Sequence, residues 1–346
     1  MSNYLIYGAN GYTGALVARL AASRGHRPIL AGRNAAEVGP LAASLGLESR
    51  AFGLDAIGHG LDGVSAVLHC AGPFARTAKL MAAACLRAGA HYLDVTGEIV
   101  VFETLAAMDG LAKKAGVMLL PGVGFDVVPT DCLAAHLKRR LPTATRLRLG
   151  FQIKGGVSRG TARTMSENLG GGGAVRKRGK IVKVPACWKT RRIDFGLGPT
   201  TAMTIPWGDV STAWHTTGIP DIEVYMAAPL SMRIFARLSR GLGPILGSKF
   251  VQSRLDRKIA GGPAGPSEAQ RQRGVSLVWG EALDDRGCRM TSRLRGPEGY
   301  TMTALTALAV VERVLAGEAR PGFQTPARMY GADFILTVPG VERVDG

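Results

Sequence analysis

The first fourteen residues constrain the fold of this chain more than any other segment. An apolar run ends at Tyr7, glycines follow at positions 8, 11 and 14, and a helix-like run begins at Ala15. A strand, a glycine turn and a helix N-terminus in this order bring backbone N–H groups and a helix dipole close to a pyrophosphate. The spacing alone also suits a structural turn, but its flanking strand and helix favour a dinucleotide site. The contacts predicted here are Gly8, Asn10, Gly11, Tyr12, Thr13 and Gly14.

The end of the second predicted strand indicates which dinucleotide binds. An NAD site places Asp or Glu there against the ribose 2′-hydroxyl, whereas this chain has Gly32, Arg33 and Asn34. Arginine offers a permanently charged, planar fork that suits a 2′-phosphate. The segment therefore predicts NADP(H) rather than NAD, with a solvated arginine after a strand as the alternative.

Strand and helix patterns alternate through the first 140 residues, which predicts a doubly wound, parallel sheet of the Rossmann type. Strands are predicted at 3–7, 28–31, 49–53, 66–70, 91–95 and 117–120, and helices near 12–24, 76–89, 98–115 and 127–140. Ligands of such sheets bind beyond the carboxyl ends of the strands. We therefore expect further cofactor contacts from the loops that follow the strands, at Asp55, Cys70, Ala71, Gly72, Pro73, Phe74, Gly122, Phe125 and Asp126.

The pattern of polar and apolar residues changes after Pro142. Polar and apolar residues alternate over 146–153, and five later segments also have strand character: 180–184, 202–206, 222–227, 275–280 and 288–294. This alternation is typical of an antiparallel sheet with one covered face. The glycine-rich segments 170–173 and 261–266 are predicted to be mobile loops, and a helix is expected from Tyr300 to Ala316. Exposed sheet edges would allow a homodimer.

Positive charge is concentrated in the second part of the chain. Residues 1–145 contain 13 Lys and Arg against 10 Asp and Glu, whereas residues 146–346 contain 30 against 16. Such a surface steers acidic partners, including carrier proteins, coenzyme A esters and anionic lipid, or serves solubility alone. No zinc finger, RNA-binding motif or recognition helix accompanies the charge, so we expect no nucleic-acid partner.

The segment 229–250 is both apolar and basic. Met232, Phe235 and Leu238 recur at three-residue spacing, while Arg233 and Arg237 occupy another side of the predicted helix. The pattern favours a helix that packs its apolar side on the core, with a lid or a membrane-docking element as the alternative.

Cysteine and histidine patterns indicate neither disulfides nor a metal. The five cysteines are scattered without a C-x-x-C pair, and the six histidines have no ligand spacing. The N-terminus has no signal-peptide pattern, and no apolar run approaches the roughly 20 residues that span a bilayer. We expect a cytoplasmic protein, either soluble or peripheral at the inner membrane surface.

Several segments match one family when taken together: 7–14, 30–33, 70–74, 92–98 and 121–131 in the first part, and 160–164, 208–220 and 322–326 in the second. The chain resembles the saccharopine dehydrogenase-like oxidoreductases, and most closely their trans-acting enoyl reductase branch. The segments 92–98 and 121–131 are the more specific ones. The resemblance implies an NADP-binding Rossmann domain over 1–142 and an inserted α+β domain for substrate binding and dimerisation over 143–299. A C-terminal helix and tail, 300–346, would return to the Rossmann domain.

The resemblance also implies a reaction. We expect NADPH-dependent reduction of the C=C bond of an apolar enoyl or polyketide-type thioester, carried by an acidic carrier protein or coenzyme A. Reduction of an enoyl thioester needs a partner for the enolate oxygen and a proton donor. Arg163 is the candidate oxyanion partner, and Tyr225 and His215, the latter in a predicted loop, are the candidate donors.

Two other functions remain open, an NADPH-dependent imine or carbonyl reductase and a non-catalytic NADP-binding protein that docks on membranes.

The roles of individual carboxylates also remain open. Asp126 is expected either to orient the nicotinamide or a substrate group, or to cap a helix. Asp94, Glu98 and Asp131 are expected to organise loops or cap helices rather than to act as acids or bases.

Overall fold

The computed structural model describes residues 3–167, 171–241 and 248–346. Gly170 of the predicted loop 170–173 and residues 242–247 of the apolar and basic segment lie outside the described residues. The chain forms two compact units. The first unit contains Met1–Val128 and Tyr300–Met329, and the second contains Pro129–Gly299 and Tyr330–Gly346.

The regular elements of the described residues are numbered in chain order. The strands are β1 (Asn3–Tyr7), β2 (Ile29–Gly32), β3 (Ser49–Ala51), β4 (Val64–His69), β5 (His91–Asp94), β6 (Met118–Leu120), β7 (Arg146–Lys154), β8 (Gly173–Lys177), β9 (Lys180–Val184), β10 (Thr190–Asp194), β11 (Pro199–Thr204), β12 (Asp221–Ala227), β13 (Val275–Leu283), β14 (Arg289–Pro297), β15 (Gly322–Phe323) and β16 (Glu342–Asp345). The helices are α1 (Tyr12–Ser23), α2 (Ala35–Leu45), α3 (Phe74–Ala88), α4 (Ile99–Ala107), α5 (Asp109–Lys114), α6 (Val128–Arg140), α7 (Arg159–Glu167), α8 (Asp209–Thr217), α9 (Leu230–Leu238), α10 (Lys249–Ala260), α11 (Glu268–Arg273), α12 (Gly299–Leu315) and α13 (Pro326–Tyr330). Short 3₁₀ helices cover Gly58–Leu61, Ser239–Gly241 and Phe334–Thr337.

The sheet of the first unit is parallel throughout, with the strand order β15-β6-β5-β4-β1-β2-β3. Its central strands are almost fully buried, as in Leu5, Leu30 and Val67, because helices cover both faces of such a sheet. The prediction of a doubly wound, Rossmann-type sheet is confirmed. The carboxyl ends of its strands, and hence the loops after β1, β2, β4, β5 and β6, meet at one edge.

Three elements of the first unit differ from the sequence prediction. Helix α2 was not expected, because it contains Gly39 and Pro40, which usually interrupt helices. The helix predicted over 98–115 is two helices, α4 and α5, which meet at Met108. Strand β15 has only two residues, too few to show a periodicity, and it extends the sheet beyond β6.

The second unit contains a mixed sheet with the strand order β10-β11-β12-β7-β13-β14-β16, and β8 and β9 continue from β12. Most of its pairs are antiparallel, as predicted, but β12 and β7 run parallel. Strands β8, β10 and β16 were not predicted. Each has only four or five residues, and most side chains of β16 are exposed, so neither length nor alternation marks them in the sequence.

One face of this second sheet carries helix α6. A Cβ at Gly280 on β13 would lie 2.6 Å from Cδ1 of Leu137 on α6, so the strand and the helix are in close contact there. Leu149 is the partner of Gly280 in register and lies on the same face. Trp207, just before α8, contacts Phe151, which also points to this face, with ring centroids 4.7 Å apart. Within the described residues, no helix has both the length and the apolar character needed to cross a bilayer.

Candidate nucleotide-binding site

The glycine turn after β1 is built by contacts that exclude larger residues. Gly8 has φ +81°, and a Cβ there would lie 2.9 Å from both Cβ and N of Ala71 in the loop after β4. A Cβ at Gly14 would collide with the carbonyl oxygen of Gly8. Only glycine allows the loop to pack against its neighbour and the first turn of α1 to lie this close to the end of β1.

The N-terminus of α1 is suited to an anion. Gly11 is the N-cap and has no side chain to accept hydrogen bonds from the first turn. Its own N–H donates to the carbonyl oxygen of Gly8 at 3.0 Å, which closes the turn. The backbone N–H groups of Thr13 and Gly14 can therefore face a phosphate, where the helix dipole adds to the attraction.

Polar side chains join the loops after β1 and β2. The carboxylate of Glu37 accepts hydrogen bonds from Nδ2 of Asn10 at 2.6 Å and from Nδ2 of Asn34 at 3.1 Å. Asn34 also caps α2, because its Oδ1 accepts from the N–H of Ala36 at 3.0 Å. A Cβ at Gly32 would lie 3.1 Å from Oδ1 of Asn10, so glycine is needed where these loops meet. The sequence did not mark Glu37, because its partner Asn10 is 27 residues away.

Arg33 is exposed at this edge, and among the described residues it has no ion pair. Burial raises the pKa of the Tyr7 hydroxyl, while the positive charge of Arg33 lowers it and the negative charge of Asp55 raises it. The charges of Arg33 and Asp55 therefore both act at the Tyr7 hydroxyl. An exposed guanidinium at this position fits an additional phosphate group.

The loop after β4 is anchored from both sides. The N–H of Cys70 donates to the carbonyl oxygen of Tyr7 at 2.7 Å, and the peptide between Gly72 and Pro73 is cis. Glu98 accepts hydrogen bonds from the N–H groups of Phe74 at 2.9 Å and Ala75 at 3.0 Å. Glu98 thus caps α3 with its carboxylate, as the sequence analysis expected of it.

Asp94 connects the loops after β5 and β6. Its buried carboxylate accepts from the N–H groups of Thr96 and Gly122, each at 2.9 Å, and from the Tyr92 hydroxyl at 2.7 Å. Burial raises the pKa of Asp94 to about 6, although these hydrogen bonds oppose the shift. The prediction that Asp94 organises loops is confirmed.

Asp126 lies in the loop after β6, and Oδ2 of Asp126 would be 3.0 Å from a Cβ placed on Gly97. Desolvation raises the pKa of Asp126 to about 7. Its side chain makes no hydrogen bond within the described part of the chain, so the expectation that it caps a helix is wrong. The cap is not needed, because the N–H of Val128 at the start of α6 donates to the carbonyl oxygen of Gly124.

Helix α12 supports this loop through contacts that sequence reasoning missed. The Thr303 hydroxyl accepts from the N–H of Phe125 at 3.0 Å, and the Thr306 hydroxyl donates to the carbonyl oxygen of Val123 at 2.8 Å. The ring of Tyr300 contacts that of Tyr12 edge to face, with centroids 5.0 Å apart. The partners are separated by 178 residues or more, and no local pattern marks them.

The candidate catalytic residues His215, Tyr225 and Arg163 all belong to the second unit. Arg163 is exposed on α7. His215 lies within α8, so its predicted loop position is wrong. The helix continues to Thr217, two residues beyond His215, and Gly218 terminates it with a φ of +69°.

Tyr225 lies on β12 beside a polar pocket of about 340 Å³, lined by Arg148, Lys189, Thr190, Arg191, Glu223 and Tyr225 itself. Its hydroxyl donates to Oε2 of Glu223 at 2.5 Å. Burial and the Glu223 carboxylate raise the pKa of Tyr225 well above its usual value. Tyr225 is in register with Gly150, on the sheet face opposite Phe151 and Trp207. The structure therefore does not bring Tyr225 together with His215 on α8.

Comparison with known proteins identifies the first unit. Residues 4–120 match the family model described as the saccharopine dehydrogenase NADP binding domain. The chain carries a saccharopine dehydrogenase NADP-binding domain. It is an NADP-dependent oxidoreductase, and the predictions of NADP(H) and of a resemblance to the saccharopine dehydrogenase-like oxidoreductases are confirmed.

Similar proteins extend the likeness beyond that domain. The trans-acting enoyl reductase of Mycobacterium ulcerans is 24% identical, over 97% of this chain and 95% of its own length. That of Mycobacterium leprae is 31% identical, but over only 40% of this chain and 35% of its own. Saccharopine dehydrogenase (L-Glu forming) of Saccharomyces cerevisiae, 12% identical, superposes with a TM-score of 0.69 over the full length of both chains, so the two proteins share a fold. Among the described residues, no group of three or more His, Cys, Asp and Glu side chains is placed to hold a metal.

Proposed function

We propose that this oxidoreductase uses NADPH to reduce the carbon–carbon double bond of an apolar enoyl thioester. One observation carries the proposal: the similarity to the M. ulcerans trans-acting enoyl reductase covers 97% of this chain and 95% of that protein. It therefore includes the second unit, whereas an NADP-binding domain alone suits many reductions.

The first unit fits NADP(H) because its glycine turn brings the uncapped N-terminus of α1 close to the end of β1, where backbone N–H groups can face phosphates. We assign the diphosphate to the loop from Gly8 to Gly14, and the 2′-phosphate to Arg33 with Gly32, Asn34 and Asp55 around the ribose. We assign the nicotinamide end to 70–74 and to the loop that contains Gly122, Phe125 and Asp126. When bound, NADPH supplies a hydride to the acceptor carbon. The carboxyl of Asp126, which makes no hydrogen bond to the described chain, suits the carboxamide of the nicotinamide.

The second unit is proposed to supply the groups that act on the thioester. Arg163 would stabilise the developing enolate oxygen, and His215 would protonate the α-carbon. The hydroxyl of Tyr225 already donates to Glu223, which supports a structural role for it over proton donation. Alanine at His215 should lower turnover more than NADPH affinity. Unchanged turnover in that variant would remove His215 as the donor.

The charge of the second part of the chain supports an acidic carrier of the substrate. Residues 146–346 contain 30 Lys and Arg against 16 Asp and Glu, which would attract an acyl carrier protein or coenzyme A. We also propose a cytoplasmic homodimer. The described part of the second sheet ends in strands β9, β10 and β16, whose outer edges are available for a second copy of the chain.

The deciding experiment follows deuterium from C4-labelled NADPH into a mixed panel of enoyl thioesters, imines and ketones by mass spectrometry. Deuterium at the β-carbon of a saturated thioester is expected. Deuterium on an amine or alcohol carbon would replace enoyl reduction with imine or carbonyl reduction. Tight NADPH binding with no labelled product across the panel would contradict the proposal and favour a non-catalytic NADP-binding protein.

A further inference from the structure

Helix α9 exposes large apolar side chains on the surface of the second unit. None of its nine residues is buried. Leu230 is 60% exposed, Ile234 47%, Phe235 51% and Leu238 70%. These four residues are called the α9 patch below. Contiguous apolar surface of this kind marks interaction sites in proteins, whereas single exposed apolar residues are ordinary.

The helix is held firmly by its opposite side. Met232 and Ala236 pack against the buried cluster that contains Cys187, Met203 and Ala228. Just beyond the helix, Arg240 donates from Nε to the carbonyl oxygen of Ala186 at 2.9 Å and from Nη2 to that of Cys187 at 2.8 Å. Because one side of α9 is already packed, its exposed side cannot turn inwards without breaking these contacts.

The expectation that the apolar side of this segment packs on the core is therefore only partly met. Met232 does pack there, but Phe235 and Leu238, which share its three-residue spacing, are exposed. With about 100° between successive helical residues, the α9 patch occupies one continuous arc of the helix. Arg233 and Arg237 lie side by side between this arc and the packed side, and Arg237 is exposed.

This arrangement matches an anionic lipid surface. An interfacial helix buries a continuous apolar arc among the acyl chains near the headgroups, while neighbouring Arg and Lys contact lipid phosphates. The excess of positive charge in residues 146–346 acts in the same direction at longer range. A helix side presents a convex surface, which suits a bilayer better than it suits a small ligand that must be enclosed.

We propose that the α9 patch docks this protein on anionic membranes, with its apolar side chains in the acyl boundary and Arg237 at the lipid phosphates. The proposal does not depend on the reaction proposed above.

The test is co-sedimentation of the full chain with vesicles of phosphatidylcholine alone and of phosphatidylcholine with phosphatidylglycerol. We expect binding to the anionic vesicles that weakens with added salt, and much weaker binding to the neutral ones. The double variant F235S/L238S should reduce affinity for anionic vesicles by about tenfold or more, because it removes apolar area from the acyl boundary. R237Q should reduce it by about fivefold, since each basic residue at the surface contributes about 1 kcal/mol.

The matched control is L197S, which removes an apolar side chain of similar exposure, 58%, from a turn of the same unit. It should bind vesicles like the natural chain. Unchanged NADPH binding and unchanged circular dichroism would show that F235S/L238S is folded. Equal vesicle binding by F235S/L238S and L197S would overturn the proposal, as would absence of binding to anionic vesicles. A dimer that F235S/L238S converts to a monomer in sedimentation velocity would instead assign the patch to a second copy.

Discussion

The two units of this protein hold their structural carboxylates in different ways. In the first unit, Asp94 and Glu98 accept hydrogen bonds from backbone N–H groups and so position loops. In the second unit, the buried Glu281 accepts from Arg148 at 2.6 Å and from both terminal nitrogens of Arg191, at 2.7 and 2.9 Å. The first arrangement shapes a binding edge, and the second ties strands together.

The ionisation of the two sets differs accordingly. Burial raises the pKa of Asp94 to about 6 and that of Asp126 to about 7. Burial also acts on Glu281, but hydrogen bonds and positive charge from Arg191 and Arg148 outweigh it and lower the pKa. Burial therefore dominates the pKa of the two aspartates in the first unit, whereas the guanidinium groups around Glu281 outweigh burial and keep that carboxylate ionised.

The ion pairs of the second unit also explain how β10, an edge strand, reaches the middle of its sheet. Arg191 on β10 bonds to Glu281 on β13, and Nε of Arg293 on β14 donates to the carbonyl oxygen of Asp194 at 2.8 Å. The edge hairpin therefore folds over the sheet face that carries Tyr225. Lys189 extends the cluster through its ion pair with Glu223, at 2.5 Å.

The largest effect is expected for E281Q. Removal of this charge leaves Arg148 and Arg191 without their main partner, and breaking a buried ion pair costs about 3–5 kcal/mol. All four tryptophans lie beyond residue 146, so tryptophan fluorescence during urea unfolding reports on the second unit. The control is E342Q, at an exposed edge position. If E281Q and E342Q unfold at the same urea concentration, the ion pairs do not hold this sheet.

G14A tests the close approach of the first turn of α1 to the end of β1 at the nucleotide-binding edge. The new Cβ collides with the carbonyl oxygen of Gly8, so α1 must move away from the phosphate position. We expect the Kd for NADPH to rise by about a hundredfold, or 2.7 kcal/mol. G39A is the control, since a Cβ at this helical position meets nothing within 4 Å. Equal NADPH affinities in the two variants would contradict the assigned phosphate site.

Arg33 contrasts with the paired arginines of the second unit, because it is exposed with no ion pair among the described residues. R33A should weaken NADPH by about tenfold or more, in line with 1.5–3 kcal/mol for a hydrogen bond to a charged group, and leave NADH nearly unchanged. Isothermal titration of both nucleotides measures this. R19A, which removes an exposed arginine from α1, serves as the control. Equal losses for NADPH and NADH would remove the 2′-phosphate assignment.

The pH dependence of D126N tests how burial affects a carboxyl group of the first unit. With its pKa raised to about 7, Asp126 keeps its proton in the folded state while the unfolded chain loses it near the ordinary value of about 4. The stability that Asp126 contributes is therefore complete below about pH 4 and decreases up to about pH 7. As the pH rises from about 4 to about 7, the thermal midpoint of D126N should therefore rise relative to that of the natural chain. A constant difference between the two midpoints would show that Asp126 has an ordinary pKa. Asp94 titrates in both chains and cancels in the comparison.

Local patterns in the sequence predicted the main elements of the nucleotide-binding edge but not the contacts that hold them together. The predicted strand at 3–7 and the helix from Tyr12 agree with β1 and α1, because glycine spacing and apolar periodicity act within a few residues. Helix α2 was not predicted, because it contains Gly39 and Pro40, two residue types that usually interrupt helices. His215 was assigned to a loop because its Thr- and Gly-rich surroundings hide a helix that packs against β8 and β12.

The sequence by itself determined the parallel sheet, the glycine turn and the preference for NADP, since each depends on residue types at short separations. Only the tertiary structure decided which carboxylates position loops and which pair with cations. Glu98 caps a helix that begins 24 residues earlier, and Glu281 meets Arg148 across 133 residues. Such contacts depend on strand order and register, which bring distant residues together and which short-range patterns do not encode.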